Sequence, residues 1–109
     1  MREDGADVCE RCLVATGALE RMRGLLGRTE LASDEGILLR PASSIHTAFM
    51  RFPIDVVFLD GSLTVLKVVP ALGPWRTATR LRARSVLELA AGECERRGLA
   101  IGDRLELRA

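Results

Sequence analysis

"IDVVFLDGSLTVLKVV", residues 54–69, decides the fold. Two runs, 54–60 and 62–69, flank Asp60-Gly61, a strong short-range signal for a β-hairpin. Ile, Val, Leu and Phe fill successive rather than alternate positions in both runs, as in strands covered on both faces. The hairpin is therefore expected at the centre of a sheet. Upstream, "CLVAT" (12–16) reads as a first strand and "ILLR" (37–40), ended by Pro41, as a second. "IHTAFM" (45–50) reads as a strand or its approach, and "PALGPWR" (70–76) as loop. "SVLELA" (85–90) and a closing "RLELR" (104–108) complete the strand set.

Helical signals are fewer. In "GALERMRGLLGR" (17–28), Leu19, Met22, Leu25 and Leu26 share one helical face, and Gly27 is a natural stop. "GECERRGL" (92–99) is a turn or two of helix, closed by Gly98 in a left-handed conformation with Leu99 tucked behind it. Strands outnumber helices, and their spacing favours antiparallel pairing over alternating βαβ units. The expected fold is mainly β: a compact antiparallel, barrel- or sandwich-like single domain with two short helices.

The chain has 109 residues, a hydrophobic fraction of 48% and a charged fraction of 28%, the balance of one ordinary globular domain over residues 1–109. Residues 1–11 read as a poorly ordered N-terminal extension. No apolar run approaches the roughly 18 residues that a membrane span requires. The opening "MREDGADV" is polar and acidic, without a basic-then-apolar export signal, so the expected location is cytoplasmic, with no membrane partner. The formal net charge of +1 conceals an asymmetry: residues 1–60 carry 7 basic and 10 acidic side chains (net −3), residues 61–109 carry 9 and 5 (net +4). That points to a basic patch rather than a basic tail.

"RMRGLLGR", "EGILL", "HTAFMRFPIDVVFLD" and "SVLELAAGECERRGLAIGD" follow one another in the order and spacing of the domain of unknown function 192 family, which the chain resembles from about Leu19 to Leu107. The resemblance implies a compact, mainly β domain of prokaryotic origin and no established reaction. The chain departs from the family pattern at Ala48, where an aromatic side chain is common, and in carrying Cys9 and Cys12. The closing "RRGLAIGDRLEL" is also similar to swapped-hairpin DNA-binding domains of the transition-state-regulator type. Those are about half this length, so here the motif is expected to close the fold within one subunit.

The stretch before the central strand holds the first candidate site. Ser43, Ser44, His46, Thr47, Met50, Arg51 and Asp55 crowd around the entry to an apolar run, and His46 is the chain's only histidine. Phe52-Pro53 fixes that entry, and an aromatic residue before proline favours some cis isomer. Asp55 shares a strand face with Val57 and Leu59. A carboxylate there costs several kcal/mol unless it is paired or hydrogen-bonded, and Arg51, His46 and backbone N–H groups are the candidate partners. One reading makes Asp55 a structural anchor. The other makes the rim a pocket for a small polar or anionic ligand or a protein partner. A third reading is a small hydrolase-like enzyme with His46 as acid–base and Asp55 as its orienter. No Gly-x-Ser-x-Gly elbow supports that chemistry, and the sequence assigns no reaction.

Two further groups carry chemistry. "CERC" (9–12) could form a zinc site only with Cys94 and His46, because no second close ligand pair exists. The plainer reading is reduced thiols, with no metal, and no cofactor motif occurs elsewhere. Between Gly61 and Leu87 the charged residues are Lys67, Arg76, Arg80, Arg82 and Arg84, with no acid among them. Arg80, Arg82 and Arg84 alternate with Leu81 and Ala83, placing three guanidiniums on one face of an extended segment. With Trp75 they form a candidate surface for anions, nucleic acid or an acidic partner. A solvated edge that discourages aggregation is the plainer alternative, and the overall charge gives no nucleic-acid footprint.

Overall fold

A computed structural model describes residues 11–15, 31–33, 35–47 and 51–106. The expected helix over 17–28 and the N-terminal extension up to Glu10 lie outside them. Among the described residues there are seven strands: β1 (Arg11–Ala15), β2 (Glu35–Leu39), β3 (Ser44–His46), β4 (Ile54–Leu59), β5 (Val65–Leu72), β6 (Thr77–Thr79) and β7 (Ser85–Ala90). A single helical turn, α1 (Glu93–Arg96), is the one helix among the described residues. Five strands form one sheet in the order β1-β2-β7-β4-β5, and β3 pairs with β6 in a second, two-stranded sheet. The mainly β, sandwich-like expectation holds, without a closed barrel. All described ladders are antiparallel except β1·β2, which is parallel.

β4 is buried along its whole length, between β7 and β5. The hairpin partner differs from expectation: β5 is an edge strand of the five-stranded sheet, with Lys67, Pro70 and Ala71 exposed. It also runs through Pro70 to Leu72, into the segment expected as loop. Pro70 is tolerated because it stands on the edge and in a bulge, where a missing N–H breaks no ladder bond. Between the pairs Ile54↔Leu72 and Val56↔Val69, the single residue Asp55 faces two, Pro70 and Ala71.

The connection at Asp60-Gly61 is longer than a two-residue turn. Asp60 Oδ1 accepts the amides of Ser62 (2.8 Å) and Thr64 (3.0 Å), an Asx-type turn, and the left-handed position falls on Leu63 (φ 63°) rather than on Gly61. The segment after α1 returns to this loop through Val65 N–H to Asp103 O (2.8 Å) and Leu105 N–H to Leu63 O (2.9 Å). Of the expected closing strand, Arg104 forms a bridge with Thr64, and residues 107–108 lie outside the described residues. Gly98 (φ 64°) ends α1 as expected: Leu99 N–H reaches back to the Cys94 carbonyl (2.8 Å), and the Leu99 side chain is buried.

The two faces of the main sheet carry separate cores. On one, Ile37, Leu39, Ile54, Val56, Phe58 and Val86 pack beneath the small sheet, which contributes Ile45 and Ala78. On the other, Leu38, Val57, Leu59, Leu87 and Leu89 pack against Cys94 of α1, Leu99 and Leu105. Period-two alternation assigns each strand residue to a face. Asp55 therefore belongs to the α1 face, and Glu88 to the face under the small sheet.

Candidate functional site

The buried carboxylate of Asp55 is fully bonded to backbone. Oδ1 accepts the Ala71 amide (2.9 Å), the one that the β5 bulge turns away from the ladder, and Oδ2 accepts the amides of Gly92 (3.1 Å) and Cys94 (2.9 Å). Ala71 sits at φ 48°, a conformation that a residue with a side chain needs such a hold to keep, and Gly92 at φ 90°, which glycine adopts freely. α1 begins with no side-chain cap of its own, so Asp55 caps it from across the sheet. Of the partners anticipated for Asp55, the backbone amides are the real ones. Arg51 and His46 are both exposed.

The same carboxylate tunes its neighbour. Burial, then the charge and hydrogen bond of Asp55, push the Cys94 thiol up to about 12, leaving it protonated and unreactive. Cys9 lies outside the described residues, as does the Cys12 side chain. Among the described residues no three His, Cys, Asp or Glu side chains are grouped to hold a metal ion.

Thr47 is likewise buried and serves as a clasp. Its hydroxyl donates to the Gly73 carbonyl (2.6 Å) and accepts the Arg76 amide (2.8 Å). Its backbone N–H bonds to Arg76 O (2.8 Å), and its carbonyl takes the Trp75 amide (3.0 Å). The clasp holds Trp75 at φ 61° with its side chain 65% exposed. Beyond it β3 and β6 pair with Ser44 opposite Thr79 and His46 opposite Thr77. Ile45 and Ala78 turn inward to the core, so Ser44, His46, Thr77 and Thr79 share the outer face.

The rim residues and the basic run, separate in sequence, thus meet. The assembled surface is Ser44, His46, Thr77 and Thr79, with Trp75 and Arg76 at one end and Arg80 at the other, where the Arg80 amide bonds to Ser43 O (3.0 Å). Ser43, Arg51 and Arg82 are exposed, and Met50 lies outside the described residues. His46 and Asp55 are not brought together: one is on the outer face of the small sheet, the other on the far face of the main sheet. Nor do Arg80, Arg82 and Arg84 alternate along a strand. β6 stops at Thr79, and residues 80–83 form a turn with Arg82 at φ 73°. The Phe52–Pro53 bond is trans, and among the described residues the cis bond is Arg40–Pro41.

Glu88 was not singled out from the sequence, although an acid in the middle of "SVLELA" is the signal. It is buried on β7 between Ile37 and Val56, and no hydrogen bond or ion pair reaches it from the described residues. Burial raises its pKa from 4.5 to about 7. Glu93, by contrast, is lowered by its hydrogen bond to Arg96, with Arg97 adding to the effect.

A two-layer, mainly β domain with an exposed polar ladder is the class that fold and site define. The DUF192 model, described as "Uncharacterized ACR", matches residues 1–107, and the chain belongs to that family. It is 38% identical over 65 residues to a UPF0127 protein of Pyrococcus furiosus, covering 59% of this chain and 55% of that protein, little more than half its length. Among solved structures, a protein of unknown function from Novosphingobium aromaticivorans matches with a TM-score of 0.81 at 24% identity, over 88% of this chain and 74% of its own. A chain from Sinorhizobium meliloti, described as a putative transcription regulator, matches with a TM-score of 0.80 at 26% identity, over 87% and 79%. No helix among the described residues is long and apolar enough to cross a membrane.

The two buried carboxyls should respond differently to substitution. Asp55→Asn turns an amide N–H₂ toward backbone donors and should cost about 3 kcal/mol in urea denaturation. In a domain of this size that lowers Tm by more than about 10 °C. For Glu88, the folded chain keeps a proton that the unfolded chain releases between pH 4.5 and about 7. Folding stability therefore falls as pH rises through that window, by roughly 3 kcal/mol. Glu88→Gln should flatten that part of the pH–stability profile.

Proposed function

We propose that this is a ligand- or partner-binding domain whose contact surface is the outer face of the β3·β6 ladder: Ser44, His46, Thr77 and Thr79, bordered by Trp75, Arg76 and Arg80. The observation that carries the reading is Trp75. A bulky residue at positive φ is strained, and an indole left mostly in water forgoes the burial that aromatic side chains ordinarily gain. Here both costs are met in order to display the ring, and four hydrogen bonds of Thr47 serve mainly to hold the loop that carries it. Exposed aromatics beside arginines are the usual anchors of binding surfaces. Leu81, 77% exposed in the turn after β6, extends the apolar component. The chemistry suits a polar or anionic partner, since no ion pair among the described residues engages Arg76, Arg80 or Arg82. On this reading Asp55 and Thr47 position the surface without touching the partner, and the domain works in the cytoplasm.

A nucleic-acid or acidic-polymer partner is the second reading. It is favoured by the exposure of Arg76, Arg80, Arg82, Arg84 and the Trp75 indole, and by the likeness to the Sinorhizobium meliloti chain described as a putative transcription regulator. Salt separates the two: log affinity for a phosphate backbone falls steeply and linearly with log[salt], whereas a small ligand of one or two charges loses far less.

Trp75 is the chain's single tryptophan, so its fluorescence reports on this surface alone. A metabolite panel followed by thermal shift and by Trp75 emission should yield a ligand that adds about 2.7 kcal/mol at a hundred times its Kd. His46→Ala and Trp75→Gly should abolish that shift while changing the unliganded stability by no more than about 0.5 kcal/mol, as exposed positions do. A ligand shift that survives both substitutions would refute the assignment.

A further inference from the structure

At the end of the main sheet opposite the Asp55 knot, three elements meet around a groove of about 450 Å³, lined by Arg40, Pro41, Asp60, Gly61, Leu63, Arg84 and Ser85. β2 runs out into Arg40–Pro41, the β4–β5 loop supplies Asp60 to Leu63, and β7 starts from Arg84–Ser85. Backbone bonds fix the floor: Arg84 N–H to Leu59 O (2.8 Å) and Ala42 N–H to Arg84 O (3.0 Å). The stem of Arg84 passes over Gly61, its Cγ 3.9 Å from where a Cβ would stand.

Ser85 is the unexpected member. It is 2% exposed, and its Oγ has no hydrogen-bond partner. Buried hydroxyls are almost always paired, and an unpaired one calls for an explanation. Among the described residues neither the Arg40 nor the Arg84 side chain makes an ion pair or hydrogen bond. Asp60, the groove's single acid, already holds the Ser62 and Thr64 amides through Oδ1. The groove therefore offers two guanidinium forks and a hydroxyl against one partly engaged carboxylate, a surplus of donors matched to an oxyanion. Its volume exceeds what a bare ion needs and lies in the range of small-molecule sites. Pro41 and Leu63 supply an apolar wall.

We infer that this groove binds the phosphate group of a phosphorylated small molecule, with Arg40, Arg84 and the Ser85 hydroxyl as its donors. The site is separate from the β3·β6 surface and does not depend on it.

Calorimetric titration with inorganic phosphate tests it, at an ionic strength held constant with chloride. The wild-type chain binds phosphate. Arg84→Gln and Ser85→Ala each weaken binding about tenfold, the loss of one charge-assisted hydrogen bond. Without phosphate, Ser85→Ala melts at the same temperature as wild type or higher, because an unpaired buried hydroxyl has been removed. His46→Ala and Trp75→Gly bind phosphate as wild type does. Four outcomes overturn the inference: no binding at millimolar phosphate, unchanged affinity in Arg84→Gln and Ser85→Ala, destabilisation of the phosphate-free chain by Ser85→Ala, or loss of binding in His46→Ala or Trp75→Gly.

Discussion

A carboxylate with no water around it must find its hydrogen bonds in the protein, and the three amides that Asp55 finds belong to three places that would otherwise be unsupported. Ala71 is the bulged residue of an edge strand, Gly92 the turn after β7, and Cys94 lies in the first turn of a helix too short to stand alone. Charge-assisted bonds to all three offset the desolvation of the carboxylate. They also fix where β5 bends and where α1 lies over the sheet. Without that knot the α1-side core around Val57, Leu87 and Leu89 would lose its cover.

The construction divides the molecule. At the Asp55 end every polar atom of the carboxyl is spent on the backbone. On the outer face of the small sheet and at the far end of the main sheet, polar atoms are left over: the arginines, His46 and the hydroxyl of Ser85. Thr47 mediates between the two regimes, a buried side chain whose bonds position an exposed one. A polar cluster near an apolar run thus contains two kinds of residue: those that complete the fold and those that the fold displays.

The fold was legible because it rests on local patterns. The apolar run of "IDVVFL", interrupted by Asp55 alone, marked β4 as central, "SVLELA" matched β7 residue for residue, and Gly98 with Leu99 marked the end of α1. The edge position of β5 was not legible. Its apolar content resembles that of a buried strand, while its exposure follows from having no neighbour beyond it. The parallel β1·β2 ladder and the two-residue bulge opposite Asp55 are likewise facts of tertiary pairing. For the site, local pattern marked a polar cluster and could not sort its members. Asp55 and His46 are close in sequence yet on different layers, whereas His46 and Thr77 are neighbours across a ladder. Arg40 and Ser85 carried no signal, because nothing local brings the end of β2 to the start of β7.

The dependence of the fold on Asp55 is tested most directly by native-state hydrogen exchange at Ala71 and Cys94. Neither amide is held by a regular ladder or helix bond, so without the carboxylate both would exchange at the rate of a surface loop. Bound to Asp55, they should exchange only through global unfolding, with protection equal to that of β4. Fast exchange at these two amides in an otherwise protected sheet would contradict the account.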